Sequence, residues 1–312
     1  MIDLPALARF LVTHPAVREK AGIQHAYGYA LEVSGNVRLG DDCAAIKNPT
    51  GGGNLLFAAE GMLESFVASE PWFAGYSAIM VNLSDIAAMG GRALAITDIL
   101  WSSSDEISAR IWQGMQAAAL AYGIPIVGGH TTRMASGRAM LGAAVLGHAG
   151  DNLITSFDAK PGDHLVIAID LHGSFHGANP FWNSSTTTPP SQLRADMELL
   201  PTLAEKGLCC AGKDISNGGI IGTLAMLCHC SEVGVEVNLG NLPRPPGTTL
   251  ERWLTAFPSY GYLLAIAPEN FVQTLTHFAE TQITCREIGN FKKASGITLR
   301  AGNELISLDF QT

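Results

Sequence analysis

Several acidic side chains follow glycines or end apolar runs of the chain, where they could do chemistry together. They are Asp41, Asp42, Glu60, Asp85 and Asp214. Carboxylates that converge without matching Lys or Arg are costly unless a cation compensates their charge. Mg²⁺ prefers hard oxygen ligands and usually binds substrate phosphates as well. The set therefore favours magnesium-dependent chemistry at a phosphate group, although each residue taken singly is better explained as a cap, a turn or a solvated side chain.

The elements that must position these residues alternate between strands and helices in the first half of the chain. The apolar run 54–59 predicts a buried strand, and residues 77–89 predict a helix that begins at Ser77. Asn82 and Asp85 are three residues apart in that helix, so they share one face. The spacing thus places an amide beside a carboxylate.

Apolar patterning and turn residues predict the remaining elements. Strands are expected at 94–100, 124–127, 139–147, 164–169, 235–239, 260–267 and 285–291, and helices at 107–122, 191–205 and 220–231. Pro201 should kink or interrupt the helix 191–205. Residues 297–310 predict a hairpin. The stretch 173–191 is rich in Gly, Ser, Thr and Pro and predicts a long loop, which either forms a substrate site or is an inert surface loop.

Turn-forming residues also predict where one domain ends. Gly150-Asp151-Asn152 and Lys160-Pro161-Gly162-Asp163 bracket a break before a new strand. We expect two domains, 1–157 and 158–312.

The two commonest nucleotide signatures, G-x-x-x-x-G-K-[ST] and G-x-G-x-x-G after a strand, are missing from the sequence. Gly51-Gly52-Gly53 precedes a strand rather than a helix, so a hairpin turn is favoured over a phosphate loop.

Composition limits the partners and the compartment. The net charge of −9 argues against a general nucleic-acid or anionic-membrane surface. No apolar run reaches the roughly 18 residues of a spanning helix, and the first residues do not resemble a secretory signal. The six cysteines form no C-x-x-C pair, which favours reduced thiols. We therefore expect a cytoplasmic protein without a nucleic-acid or membrane partner.

Five segments of the chain resemble, in order and spacing, the aminoimidazole ribonucleotide synthetase-related (AIR synthase-related) ATP-binding superfamily. They are 40–45 (GDDCAA), 82–91 (NLSDIAAMGG), 126–132 (IVGGHTT), 160–163 (KPGD) and 214–219 (DISNGG). The segment 82–91 is the most specific of the five.

The resemblance implies a fold of class α/β plus α+β. It is the PurM-like two-domain fold, whose N-terminal α/β domain forms a β-barrel across a homodimer and whose C-terminal domain is α+β. ATP and Mg²⁺ are the implied cofactors.

The resemblance also implies roles for individual residues. The metal or phosphate-end residues would be Asp41, Asp42, Glu60, Asp85 and Asp214, and the catalytic residues Asp42, Asp85, His130 and Asp214. Nucleotide-binding residues would be Gly40, Asn82, Ser84, Gly128, Gly129, Ser216, Asn217, Gly218 and Gly219.

The sequence departs from the family at informative positions. His130 stands where thiamine-monophosphate kinases have an aspartate and selenophosphate synthetases a histidine, which leaves open the number of Mg²⁺ ions and whether His130 is catalytic or structural. Residues 61–66 differ from the kinase motif. The cysteines of the selenophosphate synthetases and the hydrogenase-maturation proteins are missing from their expected places.

The resulting expectation is an Mg²⁺-dependent, ATP-using phosphoryl-transfer enzyme whose layout is closest to that of the thiamine-monophosphate kinases. Two alternatives stay open. One is an ATP-dependent synthetase or dehydratase that activates an amide or carboxylate oxygen. The other is a non-catalytic nucleotide-binding assembly protein.

Overall fold

The computed structural model describes residues 2–22 and 37–310. The helices are α1 (Leu4–Thr13), α2 (Pro15–Gly22), α3 (Glu64–Ser69), α4 (Pro71–Ala88), α5 (Asp105–Tyr122), α6 (Pro190–Met197), α7 (Leu199–Glu205), α8 (Gly219–Cys230), α9 (Leu250–Leu254) and α10 (Phe271–Phe278). The strands are β1 (Ala44–Lys47), β2 (Asn54–Met62), β3 (Arg92–Ser102), β4 (Ile126–Arg133), β5 (Met140–Ala149), β6 (His164–Ile169), β7 (Ser174–Phe175), β8 (Phe181–Asn183), β9 (Ala211–Asp214), β10 (Gly234–Asn238), β11 (Phe257–Pro258), β12 (Gly261–Ile266), β13 (Thr284–Lys292), β14 (Gly296–Ala301) and β15 (Glu304–Leu308).

The chain forms two compact units, neither of which is a continuous piece of sequence. We call them the five-stranded unit and the seven-stranded unit after their main sheets. The five-stranded unit comprises Cys43–Asp151 and Thr188–Pro201. The seven-stranded unit comprises Met1–Asp42, Asn152–Thr187 and Thr202–Thr312. The division of the sequence at 157/158 stays a prediction, and residues 1 and 23–36 of the predicted first domain lie outside the described residues.

The five-stranded unit is built on a sheet of order β1-β2-β5-β3-β4, in which only β3 and β4 are parallel neighbours. Helix α4 is buried on nearly all sides, its polar residues Asn82, Ser84 and Asp85 included, and it packs on the sheet and against α5. Ser104 caps α5 by accepting a hydrogen bond from Ile107 N at 3.2 Å, and Gly123 ends it at φ 75°.

One face of this sheet is covered and the other is exposed. Leu56, Ile96 and Val145 point to the covered face and are at most 1% exposed. Phe57 and Leu146, which are cross-strand partners, point to the opposite face and are 51% and 41% exposed. Side chains alternate between the faces along each strand, so the sheet presents an apolar surface opposite its core.

The seven-stranded unit has a mixed sheet of order β15-β14-β10-β13-β6-β12-β9 and a small sheet of order β11-β8-β7. Only the β10–β14 pair of the large sheet is parallel. Helix α8 packs against α2 and the sheet, and α1 packs against β15. Leu4, Ile221, Trp253 and Leu299 belong to its hydrophobic core.

Several local predictions are confirmed. Residues 51–53 join β1 and β2 as a hairpin, and β14 and β15 form the predicted hairpin. Pro201 was expected to interrupt 191–205, and the chain there forms two helices that meet near Glu198.

The stretch 173–191 is not a plain loop, because β7 and β8 lie within it.

Two further expectations about helices and strands are wrong. Ser77 is not an N-cap, because α4 begins at Pro71, whose missing N–H and fixed φ suit the first turn. Residues 128–133, expected beyond the end of a strand, continue β4. Within the described residues, no helix is both long and apolar enough to cross a membrane.

Candidate functional site

The seven-stranded unit gathers Asp41, Asp42 and Asp214 around a buried lysine. Strand β9 carries Lys213 and Asp214, both at most 4% exposed. Lys213 Nζ donates to Asp42 Oδ1, and Asp214 N donates to Asp42 Oδ2 at 3.3 Å. Asp41 Oδ1 accepts from Ser156 N at 3.0 Å and Ser156 Oγ at 2.7 Å. Three acidic residues and one ammonium are thus held together by strand β9 and two loops.

The charged groups of this cluster shift one another's pKa values. Burial, followed by the charge of Asp42, raises the pKa of Asp41 to about 7 against the opposing influence of Lys213. Burial alone would lower the pKa of Lys213, but Asp42 and Asp41 outweigh it and keep that pKa above its ordinary value. Lys213 is therefore charged at neutral pH, as a buried counter-ion to the carboxylates.

Lys213 corrects one expectation and was missed by sequence reasoning. We expected carboxylates without a matching base, and Asp42 has one. The signal in the sequence was weak, because Lys213 stands 171 positions from Asp42 and a surface lysine looks the same in a sequence.

The segment after Asp214 forms a tight turn into α8. Gly218 and Gly219 have φ values of 87° and 64°, a region that favours glycine. A Cβ on Gly219 would lie 2.5 Å from Leu254 O, so this glycine also permits a close backbone approach. Ser216 N donates to Thr223 Oγ1 at 3.4 Å, and Asn217 is the next residue of the turn. At the other end of the cluster, Gly40 O accepts from Cys230 Sγ at 3.6 Å.

The five-stranded unit carries the remaining predicted residues. Asn82, Ser84 and Asp85 lie in α4 and are 0%, 8% and 7% exposed. Asn82 Nδ2 donates to Ala78 O at 2.8 Å and to Ala143 O at 3.4 Å. Glu60 is exposed near the end of β2.

Gly128, Gly129 and His130 are consecutive residues of β4 rather than a loop. His130 pairs with Ile99 across the parallel strands and is exposed, with its Nε2 at 3.0 Å from Thr132 Oγ1. Whether His130 acts in catalysis stays a prediction.

Asp98 of β3 is a second residue that sequence reasoning missed. It is 1% exposed, and neither carboxylate oxygen has a hydrogen-bond partner among the residues that the structure describes. Burial raises the pKa of its carboxyl group. The available signal was an acid in the middle of the apolar run LAITDIL, which we interpreted only as a strand.

The cluster of the seven-stranded unit has the chemistry of a Mg²⁺ site. A carboxylate oxygen of Asp42 and one of Asp214 lie within 4.8 Å of each other, and Asp41 is the residue beside Asp42. Hard oxygen donors of this type are those that Mg²⁺ prefers. The donor set therefore fits a divalent cation. Lys213 already neutralises part of the negative charge of the carboxylates.

Comparison with known protein families agrees with the sequence resemblance. Residues 40–149 match the family model of the AIR synthase related protein, N-terminal domain. Residues 160–302 match that of the AIR synthase related protein, C-terminal domain. An uncharacterized protein of Synechocystis sp. is 45% identical over 270 residues, which cover 86% of this chain and 82% of that protein. A thiamine-monophosphate kinase of Synechococcus elongatus is 29% identical over 301 residues, covering 86% of this chain and 89% of the kinase.

Solved structures share the fold. T. maritima PurL complexed with ATP superposes with a TM-score of 0.75 and 20% identity, covering 92% of this chain but only 48% of the PurL chain. AaThiL complexed with AMPPCP and TMP gives a TM-score of 0.69 and 18% identity over 92% of this chain and 96% of AaThiL. At these identities the likeness establishes the fold alone. Because family descriptions match both halves of the sequence, the chain belongs to the AIR synthase-related proteins and has their PurM-like two-domain fold.

Proposed function

We propose that this protein is an Mg²⁺-dependent, ATP-using enzyme that transfers the γ-phosphoryl group to a small molecule, in the manner of a thiamine-monophosphate kinase. The observation that carries the proposal is the buried Asp42–Asp214 pair, followed directly by the glycine turn 216–219. Related structures contain ATP or its analogue AMPPCP, which supports ATP as the nucleotide.

In this proposal, Asp41, Asp42 and Asp214 of the seven-stranded unit are metal or phosphate-end residues. Bound Mg²⁺ would supply charge neutralisation at the phosphates. Lys213 holds Asp42 in place and lowers the repulsion among the three carboxylates. Gly218 and Gly219 are the proposed nucleotide-binding glycines of the turn, and their positive φ values set its backbone path. Positioning and charge compensation of this kind make up most of the catalysis of phosphoryl transfer.

Glu60 and Asp85 are the corresponding proposals in the five-stranded unit, with Asn82 and Ser84 as nucleotide-orienting residues. The burial of Asp85 and Asn82 supports a specific role, since charged and amide side chains are seldom buried without one.

We also propose a cytoplasmic homodimer that pairs through the exposed face of the five-stranded sheet. Phe57, Ile99 and Leu146 are 41–51% exposed on that face. Large apolar side chains exposed together on one sheet face are typical of a protein interface. A barrel closed by two such sheets would also remove water from it.

The test combines binding with product identification. Mg-ATP at millimolar concentration should raise the unfolding midpoint by linkage, and thiamine monophosphate or a related acceptor should raise it further. Asp42→Asn and Asp85→Asn should abolish ATP turnover while circular dichroism stays unchanged. Unchanged turnover in both variants would contradict the metal assignment.

The phosphorus product separates the kinase from a second candidate. That candidate is an ATP-dependent synthetase or dehydratase, and a phosphoribosylformylglycinamidine synthase subunit PurL, 23% identical over 96% of this chain and 42% of that protein, supports it. A phosphorylated acceptor with ADP supports the kinase, whereas inorganic phosphate with a rearranged substrate supports the synthetase. ATP binding without turnover across an acceptor panel would support a nucleotide-binding assembly protein.

A further inference from the structure

Four residues form one row across the covered face of the five-stranded sheet. Ala143 of β5 pairs with Glu60 of β2 on one side and with Asp98 of β3 on the other. Asp98 in turn pairs with Gly129 of β4. Residues that pair directly across neighbouring strands point to the same face, and adjacent strands are about 4.8 Å apart. The Asp98 side chain therefore points into the layer between this sheet and its helices.

Asn82 of α4 reaches the same row from the helical layer. Its Nδ2 lies 3.4 Å from Ala143 O, next to Asp98 in the row. Its Oδ1 is buried and has no hydrogen-bond partner among the described residues. The Asp98 carboxylate and the Asn82 amide therefore lie on the same face of the sheet, beside the same row.

Because Gly129 has no Cβ, the Asp98 carboxylate occupies the space beside it. A Cβ at Gly129 would lie 2.3 Å from Asp98 Oδ1 and 2.3 Å from Asp98 O. Any other residue would collide with the backbone of Asp98 as well as with its carboxylate. The glycine is thus required by the position of Asp98.

Three acceptor oxygens remain without a donor: Asn82 Oδ1, Asp98 Oδ1 and Asp98 Oδ2. A buried acceptor without a partner costs free energy, and buried polar groups are nearly always satisfied. Asn82 and Asp98 are 0% and 1% exposed, so bulk water does not supply the missing donors. Oxygen acceptors with one formal negative charge suit a hard cation.

We propose that Asp98 and Asn82 bind a hard metal cation within the five-stranded unit. The cation coordinates the three oxygen atoms that have no hydrogen-bond donor, and it thereby connects α4 to the centre of the sheet. Cation binding at Asp98 does not require phosphoryl transfer, although it shares Asn82 with the proposed nucleotide site. The ion is either monovalent, such as K⁺, or divalent, such as Mg²⁺, because both take oxygen ligands.

The experiment measures thermal unfolding of the full chain after chelation and dialysis into tetramethylammonium buffer. KCl and MgCl₂ are then added separately, in the wild-type protein and in Asp42→Asn, Asp98→Asn and Asp105→Asn. One of the two ions should raise the midpoint of the wild type, of Asp42→Asn and of the exposed control Asp105→Asn. A rise of about 5 °C is expected at about 100 times Kd. Asp98→Asn alone should reduce that rise, and Asp98→Asn combined with Asp42→Asn should abolish it.

An equal rise in the wild type and Asp98→Asn overturns the proposal, as does the absence of a rise with either ion. Asp98→Val serves as a second variant in case Asp98→Asn does not fold. A loss of ATP turnover in Asp42→Asn with the ion-dependent rise intact would support both proposals separately. The same rise in a protein without ATP turnover would contradict only the proposed function.

Discussion

Lys213 Nζ donates to the carboxylate of Asp42 where water hardly reaches, since the two side chains are 3% and 5% exposed. Breaking one member of a buried pair leaves an uncompensated charge, which costs more than the pair contributes as a whole. The two residues should therefore behave as one unit in stability measurements.

Replacing Lys213 with methionine should destabilise the metal-free protein by about 3–5 kcal/mol, because it removes one member of the buried pair that Lys213 forms with Asp42. Urea denaturation measures this difference. Lys213→Arg keeps the charge and should cost less, although its planar group does not reproduce the contact of an ammonium.

The double variant Asp42→Asn/Lys213→Met is the control for that pair. It should be more stable than the sum of the single changes predicts, because neither charge is left alone. Additive losses would show that the two side chains do not depend on each other.

Gly129→Ala and Gly128→Ala form a matched pair, because both glycines have a φ of 158°. A Cβ at Gly128 meets nothing within 4 Å, whereas one at Gly129 meets Asp98 at 2.3 Å. Gly129→Ala should therefore lose about 1–3 kcal/mol more than Gly128→Ala in urea denaturation. Equal losses would contradict the close approach of Asp98.

Asp163 should make stability depend on pH. Burial raises the pKa of its carboxyl group above the ordinary 3.8, although its Oδ2 accepts from Lys160 N at 2.8 Å and the charges of Lys160 and His164 oppose the shift. Glu269 adds to it. A raised pKa in the folded state means that its stabilising contribution is complete below the ordinary pKa and is lost as pH rises through the folded pKa.

Asp163→Asn should therefore gain stability relative to the wild type as pH rises from about 4. Urea midpoints at several pH values measure this gain, and Asp163→Ser should show the same trend. A difference that is constant with pH would refute the effect of burial.

The proposed dimer interface can be tested with one buried-interface change and one surface change. Phe57→Glu should convert the dimer to a monomer in sedimentation velocity, because it places a charge on the apolar sheet face. Leu120→Glu alters an even more exposed leucine of α5, at 72%, away from that sheet and should leave the dimer intact. Dissociation by both variants, or by neither, would argue against this interface.

Local signals in the sequence predicted much of the fold. The three glycines 51–53 predicted a hairpin, and the apolar run 164–169 predicted a strand, because turn chemistry and apolar runs act over a few residues. Strand β9 was missed, since its sequence AGKD has no apolar pattern and gains its burial from neighbours far away in sequence.

The candidate site was predicted through motif residues such as Asp42 and Asp214, but its electrostatics were not. The contact of Lys213 with Asp42 joins positions 171 residues apart, so no local pattern carries it. Asp98 was hidden in an apolar run for a similar reason: its environment is set by α4 and β4, which the sequence does not place beside it.

The return of residues 188–201 to the five-stranded unit has a consequence for how the protein is made. Arg194 of α6 donates to Ala121 O of α5 at 2.8 Å, so a chain leaving the ribosome cannot complete this unit until α6 has emerged. The seven-stranded unit can be completed only later in synthesis, because α1 is synthesised first and packs against β15 near the other end of the chain. Nascent chains stalled before residue 201 should therefore be protease-sensitive in both units, and a gene cut in the middle would yield two incomplete halves.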